Sequence, residues 1–576
     1  MCDWVVAPYN ADLSTEMSVK PSDRTIDVFV KRVRQSSKSA KKAVWLLEGG
    51  PGASSLALEQ PMLKLKDLLK EDADVYTMDH RGTGRSHLLQ CDAAQAFSTG
   101  SPGGANIDFR EVPNCVKDIL FQIDGQPSAF SITSAAKDMD LLIKTLNKDQ
   151  EAYVYGASYG TYLTSRLMHL APTAVKGYVL DGVWSESMGT FANFSSHRDQ
   201  PGKYFASLCE KNEVCKSKYA YGLEQHGDLF KAWRSTYEKL DNAAQGQNTC
   251  ADLFRGGPNF PPSTVLRFVF NMIANVGDTN VRHFIPAIFL MLERCQHNDV
   301  QALTALFPVK QGQTVAAWIE EASKSPPMPF DAVRQGSPLL MFLIKASEMW
   351  TYPSPSWTDE KKAIHSGIFG MELPSEYAWY CLLNGDMNDP SCSSLTAIGE
   401  SQQPPVNFAG IKPVKFLYKR DEYYRKTAKV PDHASVMVMN GKLDFQTIHS
   451  WAEDEFAKLE GRKTFVEFDY GPHVVAVKPS TAGDSTNCGI RILASYVATG
   501  GDVDRVDKSC MKEMPAINFD VDAEIAQRVK EKFEANYRSL GGFGFSMPYD
   551  PAFVHPYFLH GAIDGQHRSK PGHAHH

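Results

Sequence analysis

Five residues, Gly156-Ala157-Ser158-Tyr159-Gly160, constrain this chain more than any other stretch, because they follow the apolar run Ala152-Tyr153-Val154-Tyr155. The run predicts a short buried strand, and the five residues predict a sharp turn into a helix starting near Tyr159. Small residues at 156 and 160 let strand and helix approach closely. The hydroxyl of Ser158 then stands on a strained turn, the arrangement of a nucleophile elbow. A serine hydroxyl alone is a weak nucleophile. The motif therefore calls for a histidine base and a carboxylate that orients it.

The first third of the chain alternates strand and helix signals. Val44-Trp45-Leu46-Leu47 ends at Glu48-Gly49-Gly50-Pro51-Gly52, and Val75-Tyr76-Thr77-Met78 ends at Asp79-His80-Arg81-Gly82-Thr83-Gly84. Met139, Leu142, Ile143 and Leu146 share one face of a helix that Thr133 or Ser134 could cap. The elbow follows, and then the strand Val175–Leu180 ending at Asp181-Gly182. Such alternation implies a parallel sheet flanked by helices. Between about 186 and 425 helical patterns dominate, as at 229–240, 264–276 and 284–292. Alternation resumes with Val436–Met439 before Asn440-Gly441, and with Phe465–Phe468 before Tyr470-Gly471-Pro472. A last helix carries Ile490, Leu493, Ala494 and Val497 on one face and stops at Gly500-Gly501.

The expected organisation is an α/β core in two parts, 1–185 and 426–520, around a mainly helical insertion at 186–425. A C-terminal extension and tail, 521–576, starts with a possible helix at 521–538. Six of the seventeen histidines lie from His555 onward, which raises a metal site. The closing His573-Ala574-His575-His576 reads more simply as an unstructured or appended tail.

The resumed core supplies both partners of Ser158. Asp444 lies just past one predicted strand and His473 just past the next, so both belong to loops at the carboxyl edge of the sheet. The chain order serine, acid, histidine fits a hydrolytic triad on a parallel sheet. Asp181, which also ends a strand, competes for the acid role; His433 and His449 are weaker candidates for the base. The oxyanion hole needs two backbone N–H groups, expected from Tyr159 after the nucleophile and from Gly50 in the glycine-rich loop. The loop at 79–86 lacks the lysine of a phosphate cradle and reads as structural support.

A formal net charge of -7 with no long Lys/Arg block disfavours nucleic-acid binding. No window approaches the roughly 20 apolar residues of a membrane span. Of eleven cysteines, Cys91 and Cys115, Cys209 and Cys215, Cys381 and Cys392, and Cys488 and Cys510 are near in sequence. No C-x-x-C pair has a matching second half, which argues against structural zinc. Disulfides in an oxidising compartment account for the pairs, and Cys250 with Cys295 would complete five and leave Cys2 over. Sequence does not fix this connectivity, and buried thiols in a cytosolic protein are the alternative. Asn193-Phe194-Ser195 is a glycosylation sequon, whereas Met1-Cys2-Asp3 has no signal-peptide character. The expectation is a secreted chain beginning at a mature end, with a lumenal or lysosomal place also open.

These motifs together resemble the α/β-hydrolase serine peptidases related to proline iminopeptidase and tripeptidyl aminopeptidase. Gly49-Gly50-Pro51-Gly52 is similar to the family's GGPG, and 79–86 to its D-x-RG-x-G-x-S loop. Gly156–Gly160 matches the elbow and Leu180-Asp181-Gly182-Val183 its LDGV, while Cys488–Cys510 resembles the tripeptidyl aminopeptidase C-terminal region. Glu48 departs from the usual histidine or asparagine, and Gly471-Pro472-His473 from the usual glycine setting of the base. The resemblance implies an α/β-hydrolase core with a helical cap, and a serine exopeptidase acting on peptides with free N-termini. It implies no cofactor and no metal. It also implies cap carboxylates that receive the substrate ammonium, for which Glu348, Glu372, Glu376 and Asp386 are available. A carboxylesterase or lipase on the same triad is the alternative, because acyl transfer to water does not reveal the leaving group.

Overall fold

The computed structural model describes residues 2–8, 25–34, 40–70, 72–91, 107–256, 260–275, 281–307, 309–310, 312–323, 336–402, 405–477, 487–514 and 516–540. Its eight strands are β1 (Cys2–Pro8), β2 (Thr25–Val33), β3 (Lys42–Leu47), β4 (Ala73–Met78), β5 (Glu151–Ala157), β6 (Val175–Asp181), β7 (Ser435–Gly441) and β8 (Lys463–Phe468). They form one sheet in the order β1-β2-β4-β3-β5-β6-β7-β8. The pairs β1–β2 and β2–β4 are antiparallel and all others parallel. Strands β4 and β7 are buried along their whole length, as expected for a parallel sheet covered on both faces.

Local chemistry explains the flanking helices. Ser131, extended at φ -71°, accepts the N–H of Ser134 and starts the helix Ile132–Leu146. The cap is thus two or three residues earlier than Thr133 or Ser134, because the 3₁₀ turn Pro127–Phe130 delivers the chain at Ser131. After the helix Cys488–Ala498, Gly500 and Gly501 take φ of 74° and 75°, which only glycine adopts without strain. The elbow helix is Tyr159–Leu170.

Between β6 and β7 the described residues are helical or irregular, and they join two different apolar clusters. Helices from Asp199–Lys211 to Val315–Ser323 form a cluster of their own around Trp233, Phe270 and Phe289. Helices Pro338–Glu348 and Pro374–Asn384 instead share the cluster that holds Trp45, Leu163 and Trp451 of the sheet and its flanking helices. The C-terminal helix Ala523–Leu540 packs on the first of these, where Ile517, Phe519 and Val529 are buried.

Four disulfides are present, Cys209–Cys215, Cys250–Cys295, Cys381–Cys392 and Cys488–Cys510. The expected fifth is not: Cys91 and Cys115 are buried thiols. A hydrogen bond to Cys91, then burial, pushes the Cys115 thiol up. The sequon is enclosed rather than displayed. Asn193 is half-buried, and Ser195 Oγ donates to Met371 O (2.5 Å) and accepts from Met371 N (2.8 Å). The histidine-rich tail lies outside the described residues. Among the described residues no helix is long and apolar enough to cross a membrane.

Candidate active site

The carboxyl ends of β3, β5, β6, β7 and β8 bring the sequence-selected residues to one edge of the sheet. Ser158 follows β5 with φ 56° and ψ -122°, a backbone state that non-glycine residues adopt only when the surroundings over-determine it. Two contacts do so. A Cβ on Gly156 would fall 2.2 Å from Gly160 O, and one on Gly160 would fall 2.5 Å from Leu47 O. The glycines therefore let strand, turn and helix touch, and they seat the first helical turn on the end of β3. The N–H groups of that turn have no partner within the helix and carry its positive end. Tyr159 is the first residue of it.

Asp444 and His473 meet. His473 Nδ1 lies 2.8 Å from Asp444 Oδ2, and both side chains are buried. Asp444 Oδ1 accepts the N–H groups of Gln446 (2.8 Å) and Thr447 (2.9 Å). Thr447 Oγ1 donates to Asp444 Oδ2 at 2.8 Å and lies 3.1 Å from His473 Nδ1. Together these bonds fix the plane of the carboxylate. Residues 181 and 182 link this pair to the elbow. Ser158 donates its N–H to Asp181 O (2.9 Å), and a Cβ on Gly182 would stand 3.1 Å from Cε1 and Nδ1 of His473.

Asp181 is occupied elsewhere. Its carboxylate accepts the N–H groups of Val475 (2.9 Å) and Ala476 (2.8 Å) and the Tyr155 hydroxyl (2.8 Å). It thereby fixes the chain just after the base, where Val474 has φ 64°. Burial raises its pKa to about 6 despite these bonds. His433 bonds Pro172 O and His449 bonds Glu467, so neither approaches Asp444 as His473 does.

The glycine-rich loop after β3 is held from two sides. Glu48 Oε1 accepts the Gly49 N–H at 2.8 Å, and Gly50 turns with φ 120°. Asp79 accepts both N and Oγ of Ser55 (2.8 and 2.6 Å) and is clamped by Arg85, which confirms the supporting role of 79–86. His80 is buried, and desolvation lowers its pKa to about 4. From the insertion, Ser337 N donates to Gly52 O (2.9 Å), and a Cβ on Gly52 would clash with Ser337 O at 2.6 Å.

The four insertion carboxylates are not alike. Glu348 accepts from Arg166 (2.6 Å) and Glu376 from Lys345 (2.6 Å), both pairs buried. Glu372 pairs with His365 (2.6 Å) and Lys361 (3.1 Å), and Asp386 is exposed, accepting the Asn388 N–H. Each is already engaged. Among the described residues one group could offer a metal three ligands: half-buried His449 with the exposed Glu453 and Glu467, their ligand atoms within 4.8 Å of one another. Sequence reasoning passed over Thr447, whose spacing three after Asp444 is a local turn signal.

Residues 42–208 match the family described as alpha/beta hydrolase fold. Two curated proteins named tripeptidyl aminopeptidase, from Streptomyces lividans and Streptomyces coelicolor, are 25% identical over 199 residues. That alignment covers 32% of this chain and only 36% and 35% of those proteins, about a third of their length. Among solved structures, proline iminopeptidase of Mycobacterium smegmatis is similar over 83% of this chain and 96% of that one, with 11% identity and a TM-score of 0.30. An esterase from Exiguobacterium antarcticum is similar over 82% and 96%, with 10% identity and a TM-score of 0.29. The strand order, the elbow and the match over 42–208 identify the architecture as the α/β-hydrolase fold, with additional helices inserted between β6 and β7.

Proposed function

We propose that this chain is a serine exopeptidase that removes short units from peptides with free N-termini, in an oxidising, extracellular setting. The carrying observation is the buried Asp444–His473 pair, 2.8 Å apart, on the same sheet edge as the strained Ser158. Ser158 attacks the scissile carbonyl while His473 takes its proton and returns it to the leaving amine. Asp444, held by Gln446, Thr447 and its own bond to the ring, orients the imidazole and stabilises its charged form. The N–H groups of Tyr159 and Gly50 receive the negative oxygen of the tetrahedral intermediate. Water then hydrolyses the acyl-enzyme. The peptidase choice within hydrolases rests on the resemblance of the motifs and on the relatives named tripeptidyl aminopeptidase. Four disulfides support the oxidising compartment.

Matched peptides with free and acetylated N-termini, beside a p-nitrophenyl ester, test the reading. Release of short units from the free N-terminus alone, read by mass spectrometry, is expected. Hydrolysis of the ester with both peptides intact would turn the assignment to an esterase. Ser158→Ala should lower turnover by at least about 10³-fold; near-full turnover in that variant would remove the triad itself.

A further inference from the structure

The loop that carries Asp444 faces two ways. Asp444 turns inward to His473, but its neighbours Leu443 and Phe445, 1% and 2% exposed, are built into the apolar cluster of the first helical part of the insertion. The ring of Phe445 lies 5.2 Å from that of Phe369. The peptide between Leu443 and Asp444 is gripped as well. Arg282 Nη1 donates to Leu443 O at 3.1 Å, while the Asp444 N–H returns to Gly441 O at 3.3 Å.

Arg282 is 1% exposed and sits in the turn Val281–Phe284, ahead of the helix Ile285–Arg294. That turn is itself backed by the C-terminal segment: Ala523–Leu540 packs against it, and Phe519 lies 6.0 Å from His283 and 5.5 Å from Phe205. A guanidinium pointed at a carbonyl oxygen forms a directional, charge-assisted bond that is strong where water is excluded. The insertion therefore adds a directional bond of its own to the 443–444 peptide, beside those that Gly441 and Gly471 make from the core to the N–H groups of Asp444 and Leu443.

We infer that Arg282 is a positioning residue for Asp444, and that docking of the insertion on the acid loop is a condition for assembly of the triad. Arg282 touches no reacting atom; it acts through Leu443. The inference rests on the proposed Ser158–His473–Asp444 triad and adds to it the means by which the inserted helices govern its geometry.

The test uses the full chain and a small p-nitrophenyl ester, so that binding of a long substrate does not enter. Arg282→Ala should lower kcat by about 10- to 100-fold, the cost of a small misplacement of a catalytic group, with KM within about twofold. A carboxylate that no longer faces the imidazole stabilises its cation less. The acidic limb of the kcat profile should then move to lower pH. Arg282→Lys, which still offers a donor, should restore part of the rate and part of the limb. If Arg282→Ala does not fold, Phe445→Leu loosens the same loop from Phe369 and should shift kcat and limb in the same direction. A native kcat and limb in Arg282→Ala would overturn the inference. So would a rate loss with an unmoved limb that Arg282→Lys fails to restore. Ser158→Ala run beside it separates the two readings. A fully active Ser158→Ala removes the triad, whereas an inert Ser158→Ala beside a native Arg282→Ala removes only the role of Arg282.

Discussion

Two buried carboxyls, Asp181 and Glu360, show how the same perturbation leads to different outcomes. Burial holds Asp181 at about 6 and Glu360 at about 7, above their ordinary values of 3.8 and 4.5. The folded chain therefore keeps a proton on each in a range where the unfolded chain has released it. Stability from these groups is fully present below about pH 4 and falls as pH rises to about 7, by on the order of 2–3 kcal/mol each. Glu360 accepts the N–H and hydroxyl of Ser196 at 3.1 and 3.0 Å. A glutamine can accept that N–H and donate to a rotated hydroxyl, so Glu360→Gln loses no pairing and removes the charge. It should raise stability near neutrality by about 1–3 kcal/mol and flatten the dependence on pH between about 4.5 and 7, read from urea midpoints across that range. Asp181 receives two backbone N–H groups and a tyrosine hydroxyl, all donors. An asparagine there sets a donor against a donor, so Asp181→Asn should show no such gain and should lower kcat by displacing the chain after His473.

At the scale of elements, the elbow is the tightest junction. Gly160→Ala would force a Cβ to within 2.5 Å of a backbone oxygen of β3, which has no soft side chain to yield. The expected cost is about 1–3 kcal/mol, with a fall in turnover because the first helical turn, which starts at Tyr159, is pushed off the end of β3. Gly227→Ala is the contrast: nothing lies within 4 Å of its Cβ, and only its φ of 82° resists, so turnover should stay native. Thermal denaturation and kcat of the two variants check this. These elements also show what a sequence discloses. The parallel strands are short apolar runs, and Ser158, Asp444 and His473 each follow such a run, so the pattern is local. β2 is different: Ile26, Val28, Phe29 and Val30 are buried, but Asp27 interrupts them and Lys31 and Arg32 follow, so only three apolar residues run together to announce the strand. The bond between Arg282 and Leu443 joins residues 161 apart. No spacing in the chain announces it, since it depends on where the insertion comes to rest.

Across the whole molecule, the stretch between β6 and β7 divides between two apolar clusters. One part shares the cluster of the sheet; the other has its own cluster, reached by the C-terminal helix and by the flanks of Asp444. Cys209–Cys215 and Cys250–Cys295 both lie in this second cluster, but they close loops of very different size, 6 and 45 residues in separation. If cross-links act by limiting the unfolded chain, the longer loop contributes about 4 kcal/mol and the shorter about 2 kcal/mol. Replacing Cys250 and Cys295 together by serine should therefore lower the melting temperature more than replacing Cys209 and Cys215. The loss should fall first on the helical cluster, leaving the sheet folded through a separate, later transition in calorimetry. Leu443 and Phe445 belong to that cluster, so activity should vanish with the first transition rather than the second. Activity that survives until the sheet melts would mean that Asp444 keeps its aim without the inserted helices.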